Sequence, residues 1–139
     1  MNSESLVVDD VQVPINSDLD LVRAREKGRV LAGQLGFVQS DLTLVATAIS
    51  ELARNIVRYA RRGEIVLRQA EDGGIPGIVI IARDEGPGIP DVNRAMEQGY
   101  STSGGLGLGL PGVRRIMDKF EIVSEVGKGT VVTAVKWKR

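Results

Sequence analysis

The sequence predicts a single α+β domain spanning residues 1–139, and three observations carry that expectation. An apolar stripe at Leu42, Val45, Ile49, Leu52, Ile56 and Tyr59 repeats at intervals of three and four, the period of a helix with one buried face. Two pairs of strands are joined by glycine turns, Glu64 to Ala70 with Ile75 to Arg83, and Glu121 to Val126 with Thr130 to Trp137. Between the pairs lies Asp84 to Gly112, which holds eight of the chain's 17 glycines. Such density costs backbone entropy on folding, so the backbone there must turn sharply or lie close against something.

Taken in order, Val11, Val13 and Ile15 alternate with Asp10, Gln12 and Pro14, which predicts a half-buried strand near a sheet edge, where proline is tolerated. Ser17 or Asp18 offers an N-cap to a first helix, whose Leu21, Ala24, Gly28, Leu31 and Leu35 share a face before Gly36 ends it. Ser40 or Asp41 opens the second helix, which carries the long stripe. Glu51 and Asn55 lie beside that stripe, one turn apart on the same flank. Asp72-Gly73 marks a tight turn between the next two strands, and Ile78 to Ala82 is continuously apolar, as a central strand requires. Asp91 to Gln98 reads as a short helix and Leu110 to Lys119 as a longer one, with Pro111 suited to its first turn. In the closing hairpin Val131, Thr133, Val135 and Trp137 share one face, and Trp137 reads as packing rather than binding.

Composition narrows the function classes. Eighteen basic and 18 acidic residues cancel, so no nucleic-acid footprint is present. With neither cysteine nor histidine, disulfides, thiol chemistry and a zinc site are not expected. No apolar run approaches the ~20 residues of a membrane span and no signal-peptide pattern opens the chain, so a soluble cytoplasmic protein is expected.

The glycine stretch carries the chemistry. Gly104, Gly105, Leu106, Gly107, Leu108 and Gly109 run into a helix start, where free backbone N–H groups and the helix dipole favour phosphate. Asp84 follows the central apolar strand, where its carboxylate can accept from a buried donor such as the adenine amino group, with Gly86 and Gly88 letting a flat base approach the backbone. A carboxylate at Glu51 and an amide at Asn55 can activate a nucleophile and coordinate Mg²⁺. The residues alone leave blander readings open: a polar turn after a strand, and an ordinary surface pair. Gly107 to Gly112 also matches the dinucleotide fingerprint, but Tyr100 to Gly104 form no buried strand before it, and no phosphate-loop Gly-Lys-Ser/Thr occurs.

In this order the motifs resemble those of the GHKL ATPases, the superfamily of gyrase, Hsp90, histidine kinases and MutL. Glu51-Leu52-Ala53-Arg54-Asn55 looks like the N box, Asp84-Glu85-Gly86-Pro87-Gly88 like the adenine box, and Gly105 to Gly109 like the lid box. Gly129-Thr130 looks like the strand-end pair whose hydroxyl helps hold adenine. The resemblance implies the Bergerat (GHKL) ATP-binding fold, a two-layer α/β sandwich with a mixed sheet covered by helices on one face. It implies ATP and Mg²⁺ as cofactors, Asn55 on the metal, Asp84 on adenine, glycines 104–109 over the phosphates, and Glu51 as general base. Arg114 and Arg115 are secondary candidates for phosphate contact.

Within the superfamily, the length leaves no room for the large following domains of gyrase, Hsp90 and MutL, and the phospho-acceptor histidine of histidine kinases is missing, although a detached catalytic domain of that kind stays open. What remains is the branch of stand-alone serine kinases and anti-sigma factors of bacterial partner switching. Ser50 to Ala60, Asp84 to Asp91, the segment from Gly99 to Asp118 and the terminal Ala134 to Arg139 resemble most the stressosome switch kinases of the RsbT type. That resemblance implies a protein serine/threonine kinase acting on STAS-domain partners and, once released from them, activating a downstream regulatory enzyme such as a serine phosphatase. The alternative it leaves is an anti-sigma factor that chiefly sequesters a sigma factor.

Overall fold

In the computed structural model, which describes residues 10–97 and 109–139, the chain alternates strands and helices. It runs β1 (Val11–Ile15), α1 (Asp18–Gln34), α2 (Gln39–Asn55), a π-helical turn (Ile56–Ala60), β2 (Gly63–Asp72), β3 (Ile75–Asp84), α3 (Val92–Ala95), α4 (Gly109–Ile116), β4 (Lys119–Glu125) and β5 (Gly129–Trp137). The strands form one sheet in the order β1-β2-β3-β5-β4. Every pairing among the described residues is antiparallel, where the sequence resemblance implied a mixed sheet. The reason is topological. Two helices between β1 and β2 return the chain to the end it left, and β5 inserts between β3 and β4, which run in the same direction but are not neighbours.

Both hairpins form as expected. Gly73 and Gly74 take φ of +59° and +85°, two successive positive values that a two-residue turn matched to strand twist needs and glycine adopts cheaply. At the β1 edge, Arg68 of β2 grips Asp10 through Nε and Nη2 at 3.0 and 2.8 Å, and those hydrogen bonds hold the Asp10 carboxyl below the usual carboxylate range.

The core lies between the helices and one sheet face. Val13 and Ile15, Ile65 and Leu67, Ile78, Ile80 and Ala82, and Val132 and Ala134 point to it from four strands. Leu21, Ala24 and Leu31 of α1, Val45, Ile49 and Leu52 of α2, and Leu110 and Val113 of α4 meet them. The α1 stripe is buried as its spacing predicts, and its start is capped by Asp20, whose Oδ2 accepts from the N–H groups of Asn16 and Ser17 at 2.8 and 3.2 Å. At Gly28 the two long helices cross so closely that an added Cβ would lie 2.1 Å from Ile49 Cδ1. On β5, the face shared by Val131, Thr133, Val135 and Trp137 is the one turned away from the helices. Trp137 packs there on Gly77, in keeping with a packing role.

One core expectation fails. Tyr59 is 57% exposed rather than part of the α2 stripe. Beyond Asn55 the helix widens into a turn closed by i→i+5 bonds, which slows rotation per residue and swings Tyr59 off the apolar face. Arg61 ends that turn at φ +74°, a conformation non-glycine residues rarely adopt, and sends the chain into β2.

Candidate active site

The sheet register sets Gly63, Asp84, Thr130 and Ser124 side by side at one end of the sheet, because Gly63 pairs with Asp84, Asp84 with Thr130, and Thr130 with Ser124. The C-terminal end of α2 and the first residue of α4 face the same end. Between them opens a cavity of about 910 Å³, lined by Glu51, Asn55, Asp84, Gly88, Gly109 and Thr130 among others. Its size lies within the range of small-molecule sites, roughly 300–1,000 Å³. Ile56, Ala60, Ala82, Ile89 and Val132 give it apolar walls next to the Asp84 carboxylate, a surface suited to a flat heterocycle with an amino group.

Asp84 ends β3. Its Oδ1 accepts the Gly86 N–H at 2.9 Å, and among the described residues Oδ2 takes no hydrogen bond, which leaves it to a ligand donor. The two glycines of this turn are also required by packing within the protein. A Cβ on Gly86 would meet Ala60 Cβ at 2.6 Å, and one on Gly88, at φ +81°, would meet the Glu125 carbonyl oxygen at 2.4 Å. The π-helical turn and the β4–β5 turn leave neither of them room for a side chain. Gly88 borders the cavity, whereas Gly86 is not among its lining residues.

Thr130 is buried at the start of β5, and Gly129 before it lies so near the Asp84 backbone that a Cβ would sit 2.1 Å from the Asp84 carbonyl oxygen. Thr130 Oγ1 is 2.7 Å from Ser124 Oγ. Ser124 donates to the Gly129 carbonyl at 3.2 Å and accepts the Ile89 N–H at 2.7 Å. A serine has one proton to give, so with it on Gly129 the Thr130 hydroxyl donates to Ser124 and turns acceptor lone pairs elsewhere. Ser124 was missed in the sequence, although its place opposite Thr130 follows from the register of the closing hairpin.

Glu51 and Asn55 lie one turn apart on α2 and both reach the cavity, Glu51 buried and Asn55 half-buried. Glu51 Oε2 pairs with Arg54 Nη1 at 2.7 Å, and its Oε1 accepts the Gly109 N–H at 3.3 Å. Among the described residues no three acidic, histidine or cysteine side chains gather to hold a metal by themselves. The donor set fits Mg²⁺ only where a ligand's phosphate oxygens complete it, since that ion keeps few protein ligands and prefers oxygen such as the Asn55 amide.

Residues 104–108 of the expected phosphate cradle lie outside the described residues. Gly109 is described, opens α4 at φ +66° and borders the cavity. Arg114 and Arg115 are exposed on the last turn of α4 and are not among the cavity's lining residues. Five or six residues at 1.5 Å rise carry them about 8 Å along the helix from Gly109.

Comparison with known proteins agrees with this fold. Residues 40–139 match the family model of the histidine kinase-, DNA gyrase B- and HSP90-like ATPases. The serine/threonine-protein kinase RsbT of Bacillus subtilis is 54% identical over 127 residues, covering 91% of this chain and 96% of that protein. An anti-sigma F factor of Thermoanaerobacter sp. is 30% identical over 120 residues, covering 82% of each. Among solved structures, the RsbU and RsbW domains of Rv1364c from Mycobacterium tuberculosis superpose with a TM-score of 0.63 at 20% identity, over 95% of this chain and 33% of that longer one, a likeness of fold.

Proposed function

The chain belongs to the histidine kinase-, DNA gyrase B- and HSP90-like ATPase family, and on that premise we propose that it is the Mg²⁺-dependent switch kinase of a bacterial stressosome. It is a protein serine/threonine kinase with ATP as phosphoryl donor. Its substrates in this reading are STAS-domain partner proteins, and on release from them it activates a downstream regulatory enzyme such as a serine phosphatase. It works in the cytoplasm, in keeping with the finding that no described helix is long and apolar enough to cross a membrane.

The observation that carries the reading is the meeting of Asp84, Thr130, Asn55 and Glu51 in one cavity. Asp84 Oδ2 accepts from the adenine amino group, and Thr130, oriented by Ser124, offers an acceptor beside it. Asn55, with phosphate oxygens and water, would hold Mg²⁺, which when bound offsets the phosphates' charge. Glu51 takes the proton of the attacking serine or threonine hydroxyl. The hydroxyl oxygen bonds to the γ-phosphorus while the bond to the bridging oxygen breaks, its electron pair leaving with ADP.

The test is incubation with labelled ATP, Mg²⁺ and a panel of STAS-domain proteins, followed by mapping of the modified residue. Phosphoserine or phosphothreonine on a STAS protein, lost with Asn55→Ala, is the expected result, and Glu51→Gln slows transfer more than it weakens ATP binding. ATP binding with no transfer to any STAS protein would sink the proposed substrate class. The second reading, a sequestering anti-sigma factor, rests on the 30% identity to anti-sigma F factors. Capture of a sigma factor by the purified protein, in preference to a STAS protein, would favour it.

A further inference from the structure

Glu51 stands in the site with both carboxylate oxygens engaged. Arg54, one turn along α2, places Nη1 at 2.7 Å from Oε2, and the first N–H of α4 binds Oε1 at 3.3 Å. The Glu51 side chain is 10% exposed and that of Arg54 37%. The guanidinium is thus the more open member of the pair, and it covers one of the two oxygens that a general base could present to an attacking hydroxyl. An i,i+3 ion pair on an exposed helix face is worth only a few tenths of a kcal/mol, whereas this one offsets the desolvation of a carboxylate that is only 10% exposed and also fixes where it points.

Resting on the kinase reading above, we infer that Arg54 is a positioning residue, a latch that holds Glu51 away from water while ATP is bound and no acceptor protein is present. Without such a restraint a buried carboxylate beside bound ATP would serve water as well as a protein hydroxyl. Water oxygen would bond to the γ-phosphorus, its proton would pass to Glu51 and on to solvent, and the bridging bond would break with its electrons on ADP. The product would be inorganic phosphate, and the donor would be spent without signalling. The latch gives way when the acceptor protein brings a carboxylate beside its hydroxyl. The Arg54 guanidinium then exchanges one charge-assisted partner for another at little cost, and Oε2 is uncovered for the incoming hydroxyl.

The experiment measures ATP hydrolysis by the full chain without acceptor, for the wild type, Arg54→Gln, Arg54→Lys, Glu51→Gln and the double variant Glu51→Gln/Arg54→Gln. Fluorescent-nucleotide titration of each keeps binding apart from turnover. Arg54→Gln is expected to hydrolyse ATP about tenfold faster at unchanged nucleotide affinity, a gain inside the roughly 10²–10⁴-fold that a positioned general base contributes. Arg54→Lys restores most of the restraint, and the double variant shows no gain. Loss of a merely structural contact would lower thermal stability without raising turnover. In a second arm, neutralising the acidic residues beside the mapped acceptor serine or threonine slows transfer by the wild type but not by Arg54→Gln.

Hydrolysis by Arg54→Gln at or below the wild-type rate, with nucleotide still bound, overturns the latch and leaves the kinase reading standing. Should Arg54→Gln fail to fold, wild-type-like hydrolysis by a folded Arg54→Met decides against it in the same way. A wild-type protein that binds no ATP removes the kinase reading and the latch together.

Discussion

Asp84 is fixed before any ligand arrives. Gly86 binds one of its oxygens from within the turn, and Gly129 of β5 packs on its carbonyl, so Oδ2, which takes no hydrogen bond among the described residues, has a set position at the cavity wall. A preset acceptor is worth more than a mobile one because little ordering remains to be done on binding. Asp84→Asn replaces a charged acceptor with a neutral amide that can present its donor side instead. Loss of a charge-assisted hydrogen bond costs about 1.5–3 kcal/mol, so ATP affinity should fall by roughly 10- to 150-fold with the fold intact, as read by calorimetric titration and circular dichroism. Ser124→Ala is a gentler probe. It removes the partner that orients Thr130 and one acceptor of the Ile89 N–H, and should weaken ATP binding by about 1 kcal/mol, some fivefold. Unchanged affinity in Asp84→Asn would move adenine elsewhere in the cavity.

At the scale of elements, the turn after β3 shows how a motif can be legible while its reason is not. Gly88 was expected to admit a nucleotide base, and a second reason for glycine shows only in the fold: the space its Cβ would need is filled by the Glu125 carbonyl at 2.4 Å, and its φ is +81°. Both penalties fall on backbone that cannot move aside. Gly88→Ala should therefore cost about 2–4 kcal/mol of stability in urea denaturation, combining the strain of a positive φ with a shift of the β4–β5 turn. The stripes of α1 and α2 were legible because burial there follows the helical period from Leu21 to Leu31 and from Val45 to Ile56. Tyr59 was not, since a change from i→i+4 to i→i+5 bonding leaves no mark in the spacing. Glu51, Asn55, Asp84 and Thr130 were read from ordered motifs, and the fold brings all four to one cavity. Ser124 needed the register of the closing hairpin to be followed through, and the Arg54 pair needed side-chain geometry, which the motifs alone do not hold.

For the whole molecule, the question is whether stability and catalysis can be separated in a domain with one core. α2 belongs to both, since Ile49 and Leu52 pack into that core while Glu51 and Asn55 face the cavity. Leu52 is 1% exposed and also lines the cavity wall, whereas Leu67 on β2 is equally buried and is not among the lining residues. Leu52→Ala and Leu67→Ala remove the same atoms from the same core, so each should lose about 2–5 kcal/mol, a large share of the roughly 5–15 kcal/mol that holds a domain of this kind together. Their effects on phosphotransfer should differ. A hole at Leu52 lets the turn of α2 carrying Glu51 and Asn55 relax, and an ångström of misplacement at reacting groups can cost about a hundredfold in rate. A hole at Leu67 lies in the core away from the cavity and leaves those side chains where they are. Measured where both variants are more than nine-tenths folded, single-turnover transfer should fall markedly for Leu52→Ala and stay within about twofold of wild type for Leu67→Ala. Equal losses in the two would mean that the site feels the stability of the whole domain rather than the seating of one helix.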